Sequence, residues 1–67
     1  SKDKRIRREL EADTIYQEYL ALKEAKKADA AKARLQLLTA KYPDTEAGKR
    51  AFEILAAEEE SQKPPQK

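Results

Sequence analysis

The side chains that could do chemistry in this sequence are carboxylates, amines, guanidinium groups and three tyrosines. The chain has no His and no Cys, so it lacks an imidazole base, a thiolate nucleophile and a soft metal ligand. A single glycine is too few for a glycine-rich phosphate loop. Glu58, Glu59 and Glu60 could attract a hard cation, but consecutive helical residues point in different directions, which favours a solvated helix end. These residue types predict a protein that is not an enzyme and that uses no cofactor and no metal.

The basic residues are unevenly placed and suggest one further kind of binding. A strip that binds phosphate or an anionic surface could use six of them: Arg5, Arg7, Arg8, Lys32, Arg34 and Lys41. No acidic residue lies between Ala30 and Tyr42. No aromatic residue interleaves with these cations, so bases would have no stacking platform. The simpler interpretation is a set of solvated helix faces, since the net charge is only +2. Nucleic-acid or anionic-surface binding is therefore the alternative function.

The most specific local signal is the joint Tyr42-Pro43-Asp44-Thr45. Proline has no amide hydrogen and clashes with the preceding turn, so we expect the helix before it to end near Lys41 or Tyr42. Asp44 and Thr45 offer side-chain oxygens that could cap the next helix. The sequence thus predicts two helices that fold back on each other at this corner.

Apolar spacing and composition together predict an all-α fold, in which three helices form an antiparallel arrangement. The predicted helices cover about 10–26, 30–42 and 45–60, within one domain at 10–60. Residues 1–9 are a charged lead-in that either frays or extends the first helix, and 61–67, with two prolines, are expected to be a disordered tail. The apolar faces of the second and third predicted helices consist of Ala31, Leu35, Leu38, Tyr42, Ala47, Ala51, Phe52, Ile54 and Leu55, and these residues are the predicted core.

The boundary between the first two predicted helices is only weakly marked in the sequence, because it contains neither Gly nor Pro. The apolar residues before and after 26–29 do not continue one helical stripe. Asp29 is a candidate cap for a helix that begins at Ala30. We therefore expect a break here rather than one long helix. The alternative is an uninterrupted helix from about Arg5 to Tyr42.

The region Ala28 to Leu55 resembles a tetratricopeptide repeat of the divergent type found in bacterial envelope and scaffold proteins. The resemblance rests on Ala31, Leu35, Leu38 and the Tyr42-Pro43 corner. It implies a helical hairpin plus the first helix of a further repeat, and a scaffold that holds a peptide or helix in a groove. Tyr19, where a small residue is usual, departs from the pattern, as does the loop at 26–29. A self-contained three-helix bundle is the other fold interpretation.

Function is accordingly predicted as protein–protein interaction or scaffolding. The tentative partner-binding residues are Tyr16, Leu20 and Ile54, because they lie at the margins of the apolar arcs. The partner would be a protein or peptide, or a second copy of the chain in a homo-oligomer, since one and a half repeats leave apolar flanks uncovered. No apolar run is long enough to span a bilayer. The compartment stays open between the cytoplasm and the bacterial envelope.

Overall fold

The computed structural model describes the backbone of residues 2–62 and the side chains of residues 4–60. Within that part of the chain there are three helices: α1 at Lys2–Glu24, α2 at Ala28–Lys41 and α3 at Glu46–Gln62. Each helix packs against both of the others. The predicted all-α, three-helix fold is confirmed.

Long-range polar contacts show how the first two helices are directed. Near the start of α1, Arg8 contacts the Lys41 carbonyl oxygen at the end of α2. Farther along α1, Glu18 contacts Arg34 in the middle of α2. Because contacts pair early α1 with late α2, the two helices run antiparallel.

The first helix is longer than the apolar pattern indicated. It begins at Lys2 rather than near Leu10, so the charged lead-in continues the helix. The physical reason is long-range: Arg8 and Glu9 of this segment contact the corner that follows α2. An apolar pattern does not register such polar contacts. Of the predicted tail at 61–67, residues 61 and 62 belong to α3, and residues 63–67 lie outside the described residues.

The break between α1 and α2 is present, and it has a specific geometry. The Lys26 amide donates to the Lys23 carbonyl at 3.0 Å, and the Lys27 amide donates to the Leu22 carbonyl at 2.9 Å. These two bonds form a Schellman motif, in which the first of the two donor residues has a left-handed backbone conformation. Lys26 has that conformation, with φ of 63°. The turn that ends α1 therefore has a lysine, rather than a glycine, in the left-handed position.

Asp29 is not the cap of α2, contrary to the sequence prediction. The helix begins at Ala28, and its capping residue Lys27 makes no side-chain capping bond. The Schellman turn directs the backbone into α2 two residues earlier than expected. Asp29 falls instead in the first turn of α2, where the helix dipole favours a carboxylate.

The corner between α2 and α3 depends on the Thr45 hydroxyl. Its Oγ1 accepts a hydrogen bond from the Gly48 amide at 3.0 Å and donates to the Tyr42 carbonyl oxygen at 2.8 Å. The predicted capping role of Thr45 is confirmed. Asp44 does not cap the helix; its carboxylate accepts from Arg8. Thr45 is buried, so one hydroxyl satisfies both a helix-end donor and a turn carbonyl.

Gly48 is required by the close approach of two backbone segments at this corner. A Cβ atom placed on Gly48 would overlap the carbonyl oxygen of Tyr42, with Pro43 Cα also in contact. The first turn of α3 therefore packs directly against the end of α2. The only glycine of the chain lies where a side chain cannot fit.

The core is built mainly from small side chains and two leucines. Its buried apolar members are Ala12, Tyr19, Ala31, Leu35, Leu38, Ala47 and Ala51. Leu35 and Leu38 are the largest fully buried apolar side chains, and both belong to α2. Alanines on the facing helices allow the helix axes to come close around them.

Phe52 is not part of the core, which corrects the sequence prediction. Its side chain is 67% exposed. The buried face of α3 centres on Ala51, and adjacent helical residues point about 100° apart. Ile54 and Leu55 pack against the core from the two sides of Ala51, which directs Phe52 outward. Among the predicted core residues of α3, the alanines are buried and the phenylalanine is exposed.

Candidate partner-binding groove and basic surface

An open groove of about 360 Å³ runs between α1 and α3. Tyr16, Leu20 and Ile54, the three tentative partner-binding residues, all line it. Tyr16 and Leu20 are four residues apart and so share one face of α1. Ile54 faces them from α3, with Ala57 one turn farther along. The structure thus brings together residues that lie 34 to 38 positions apart in the sequence.

The groove has an aromatic floor held by the core. Tyr19 is buried, and its ring lies 5.6 Å from the Tyr16 ring at an angle of 37° between planes. Offset and tilted ring pairs at this distance attract one another. Leu20 is 36% exposed at the margin. The buried Tyr19 ring thus forms the floor, while Leu20 is exposed and Tyr16 is half-buried at the margin.

Opposite charges stand at one end of the groove. The Lys23 amine lies 6.0 Å from the centre of the Tyr19 ring, at the outer limit of a cation–π contact. Glu58 lines the groove from α3. The groove is thus an apolar channel with one cation and one anion beside it.

The corner carries a second concentration of polar contacts, centred on Arg8. Its guanidinium donates to both carboxylate oxygens of Asp44 and to the Lys41 carbonyl oxygen at 2.9 Å. It also lies 4.9 Å above the centre of the Tyr42 ring. Hydrogen bonding to Arg8 lowers the pKa of Asp44, and the same bond raises the pKa of Arg8.

Two further contacts from α1 complete this corner network. The Tyr42 hydroxyl donates to Glu11 Oε1 at 3.0 Å, which raises the pKa of Tyr42 because the bond requires the protonated phenol. The Glu46 amide donates to Glu9 Oε1 at 3.2 Å. That amide belongs to the first turn of α3, where backbone N–H groups have no acceptor within the helix. Glu9 therefore supplies a cap from another helix.

Of the six basic residues of the alternative function, two are paired with carboxylates. Arg8 is engaged with Asp44, and Arg34 Nε lies 3.2 Å from Glu18 Oε1, a distance typical of an ion pair although the angle is poor for a hydrogen bond. Arg5, Arg7, Lys32 and Lys41 are exposed. Lys32 lines the surface between α2 and α3, whereas Arg34 contacts α1, so these two cations lie on different sides of α2.

Two functional groupings were missed by the sequence analysis. Lys23 and Glu58, which flank the groove, give no sequence signal that separates them from other surface charges. The pairing of Arg8 with Asp44 joins residues 36 positions apart and has no local pattern. Gly48 could have been found, because a lone glycine inside a predicted helix usually has a packing reason.

The described side chains contain no group of three or more acidic, His or Cys residues placed to hold a metal ion. Along residues 2–62, no helix is both long and apolar enough to cross a membrane. No protein-family model matches the sequence, and neither a curated protein nor a solved structure matches it significantly.

Proposed function

We propose that this chain is a non-enzymatic protein–protein interaction module of tetratricopeptide-like type, which holds a peptide or helix in the α1–α3 groove. The observation that carries the proposal is the convergence of Tyr16, Leu20 and Ile54 on one accessible apolar channel. In a tetratricopeptide-like arrangement, α1 and α3 are the first helices of successive repeats. First helices line the binding groove of such repeats, which agrees with the position of this channel.

The chemistry of the channel indicates what kind of segment it would accept. Its walls are aromatic and aliphatic, so affinity would come from burying apolar side chains of the partner. Lys23 and Glu58 at the end of the channel would set the direction of the segment by charge. An amphipathic helix with apolar residues at i, i+3 or i+4 spacing fits these features.

A random-peptide display selection against the purified chain tests the proposal. Enriched peptides should lose most of their affinity for Leu20→Glu and for Ile54→Glu, because a carboxylate would be buried in an apolar contact. Leu10→Glu is the matched control, since Leu10 lies on the same helix and is 63% exposed outside the groove. Circular dichroism of all three variants verifies that each retains its helices.

The proposal fails if enriched peptides bind the groove variants and the control equally well. It also fails if Tyr16→Ala combined with Leu20→Ala unfolds the domain, because those side chains would then be part of the stabilising core. A selection that enriches no peptide at all above an unrelated helical protein argues equally against a peptide-binding groove.

A further inference from the structure

Two exposed apolar surfaces lie apart from the α1–α3 groove. The first is formed by Ile6 and Leu10, which are 58% and 63% exposed. The two side chains are four residues apart on α1 and therefore adjacent on its surface. Arg5 and Glu9 flank them. We call this surface the N-terminal ridge.

The second surface is a shallow groove of about 280 Å³ between α2 and α3. Phe52, Leu55 and Ala56 form its apolar side on α3, and Lys32 and Thr39 line it from α2. Phe52 is the most exposed of the large apolar side chains in the described part of the chain. An exposed apolar groove of this kind is a candidate site of association. We call it the α2–α3 groove.

The two surfaces differ in net charge. On the first turns of α1, which carry the ridge, Lys4, Arg5 and Arg7 are exposed, and Glu9 is the acidic residue beside the ridge. Among the charged residues that line the α2–α3 groove, Glu58 and Glu59 outnumber Lys32. An excess of basic residues near a projecting apolar pair thus complements an excess of acidic residues beside an apolar groove, and this complementarity points to a second copy of the chain as the occupant.

We propose that the N-terminal ridge of one copy docks in the α2–α3 groove of a second copy, so that the chain self-associates head to tail. The ridge lies on α1 and the groove lies between α2 and α3, so each docked pair retains one unused ridge and one unused groove. Such heterologous contacts continue into short linear assemblies. The contact is small, so association is weak and concentration-dependent.

Two single-residue variants separate the halves of this contact. Leu10→Glu disables the ridge and leaves the α2–α3 groove intact, whereas Phe52→Glu disables the groove and leaves the ridge intact. Both residues are highly exposed, so neither change removes a core contact. Circular dichroism and a cooperative thermal melt verify folding, and sedimentation equilibrium measures mass against the monomer value of 7.7 kDa.

The average mass of the unmodified chain should rise with concentration, and each variant alone should associate about tenfold or more weakly. An equimolar mixture of the variants should form a heterodimer that grows no further, because only one intact ridge faces one intact groove. Raising NaCl from about 50 to 500 mM should weaken association several-fold. This result is independent of peptide binding in the α1–α3 groove, which neither variant alters.

Three results would overturn the proposal. The first is an unmodified chain that stays monomeric up to about 1 mM, a concentration at which even weak contacts are populated; a groove reserved for another protein would give this result. The second is either variant alone associating as strongly as the unmodified chain, which would indicate an interface between like surfaces. The third is a mixture of the two variants that remains monomeric.

Discussion

The Arg8 guanidinium binds both oxygens of the Asp44 carboxylate across 36 positions of sequence. It also binds the Lys41 carbonyl oxygen and lies over the Tyr42 ring. All of these partners belong to the end of α2 or to the corner that follows it. Arg8 therefore fixes the early turns of α1 against the joint between the other two helices.

Replacement of Asp44 by Asn should lower the melting temperature at pH 7, and this difference should shrink as the pH is lowered towards about 2. The pKa of Asp44 is lowered in the folded chain, mainly by its hydrogen bond to Arg8. Its contribution is therefore present above the unfolded pKa of about 3.9 and is lost as pH falls through the folded pKa. Thermal melts of both proteins across this range measure the difference. Asp13→Asn, at an exposed aspartate of α1, is the control.

A difference between Asp44→Asn and the unmodified chain that persists undiminished at pH 2 would contradict this mechanism. In that case the effect would come from packing or backbone geometry rather than from the ionised pair. The contribution should also shrink in concentrated salt, because the pair is solvent-exposed and screened.

Truncation of Leu35 and of Phe52 should have very different effects on stability. Leu35→Ala removes a fully buried side chain and should cost about 2–5 kcal/mol, enough to unfold a domain of this size in part or entirely. Phe52→Ala should change the free energy of unfolding by about 0.5 kcal/mol or less, since its ring is mostly solvent-exposed. Urea titrations measure both values. Equal losses for the two variants would show that the side of α3 facing the core is misassigned.

Gly48→Ala should destabilise the domain although alanine favours helix by about 1 kcal/mol over glycine. The added methyl group would overlap the Tyr42 carbonyl oxygen and force the corner apart. Chemical denaturation reports the sign of the change. Lys49→Ala, at the next and exposed position of the same turn, should be close to neutral. A stabilised Gly48→Ala would mean that the two backbone segments are farther apart than described.

Thr45→Ala should cost about 0.5–2 kcal/mol through loss of the α3 cap. The Gly48 amide would lose its acceptor in a buried position, and the Tyr42 carbonyl would lose a donor. Thr45→Ser retains the hydroxyl and should recover most of the loss, whereas Thr45→Val retains the shape and should not. Hydrogen exchange at the Gly48 amide gives a local readout. Unchanged protection of that amide in Thr45→Ala would exclude the capping role.

Much of the fold could be predicted from sequence because the strongest signals were local. Pro43 ends α2 by chain geometry alone, and Thr45 caps α3 by hydrogen bonding within three residues. The burial of Leu35 and Leu38 followed from helical periodicity. These features need no knowledge of the other helices.

The missed features depend on contacts between helices. Phe52 was expected in the core because of its helical spacing with the other apolar residues of α3, but the position of α2 relative to α3 decides which side of the helix is buried. The first turns of α1 are held by Arg8 and Glu9 reaching the corner, which no local pattern records. The groove residues Tyr16 and Ile54 were identifiable as margins of apolar arcs. Their convergence required the packing angle between α1 and α3.

Lys26 has a consequence for how this chain could be made more stable. A non-glycine residue in the left-handed region costs about 1–2 kcal/mol, and the Schellman turn imposes that cost on every folded molecule. Lys26→Gly would relieve this strain but would also enlarge the conformational freedom of the unfolded chain, which opposes the gain. The net benefit is thus the small difference of two opposing effects. The turn between α1 and α2 therefore holds a modest reserve of stability that a one-residue change can release.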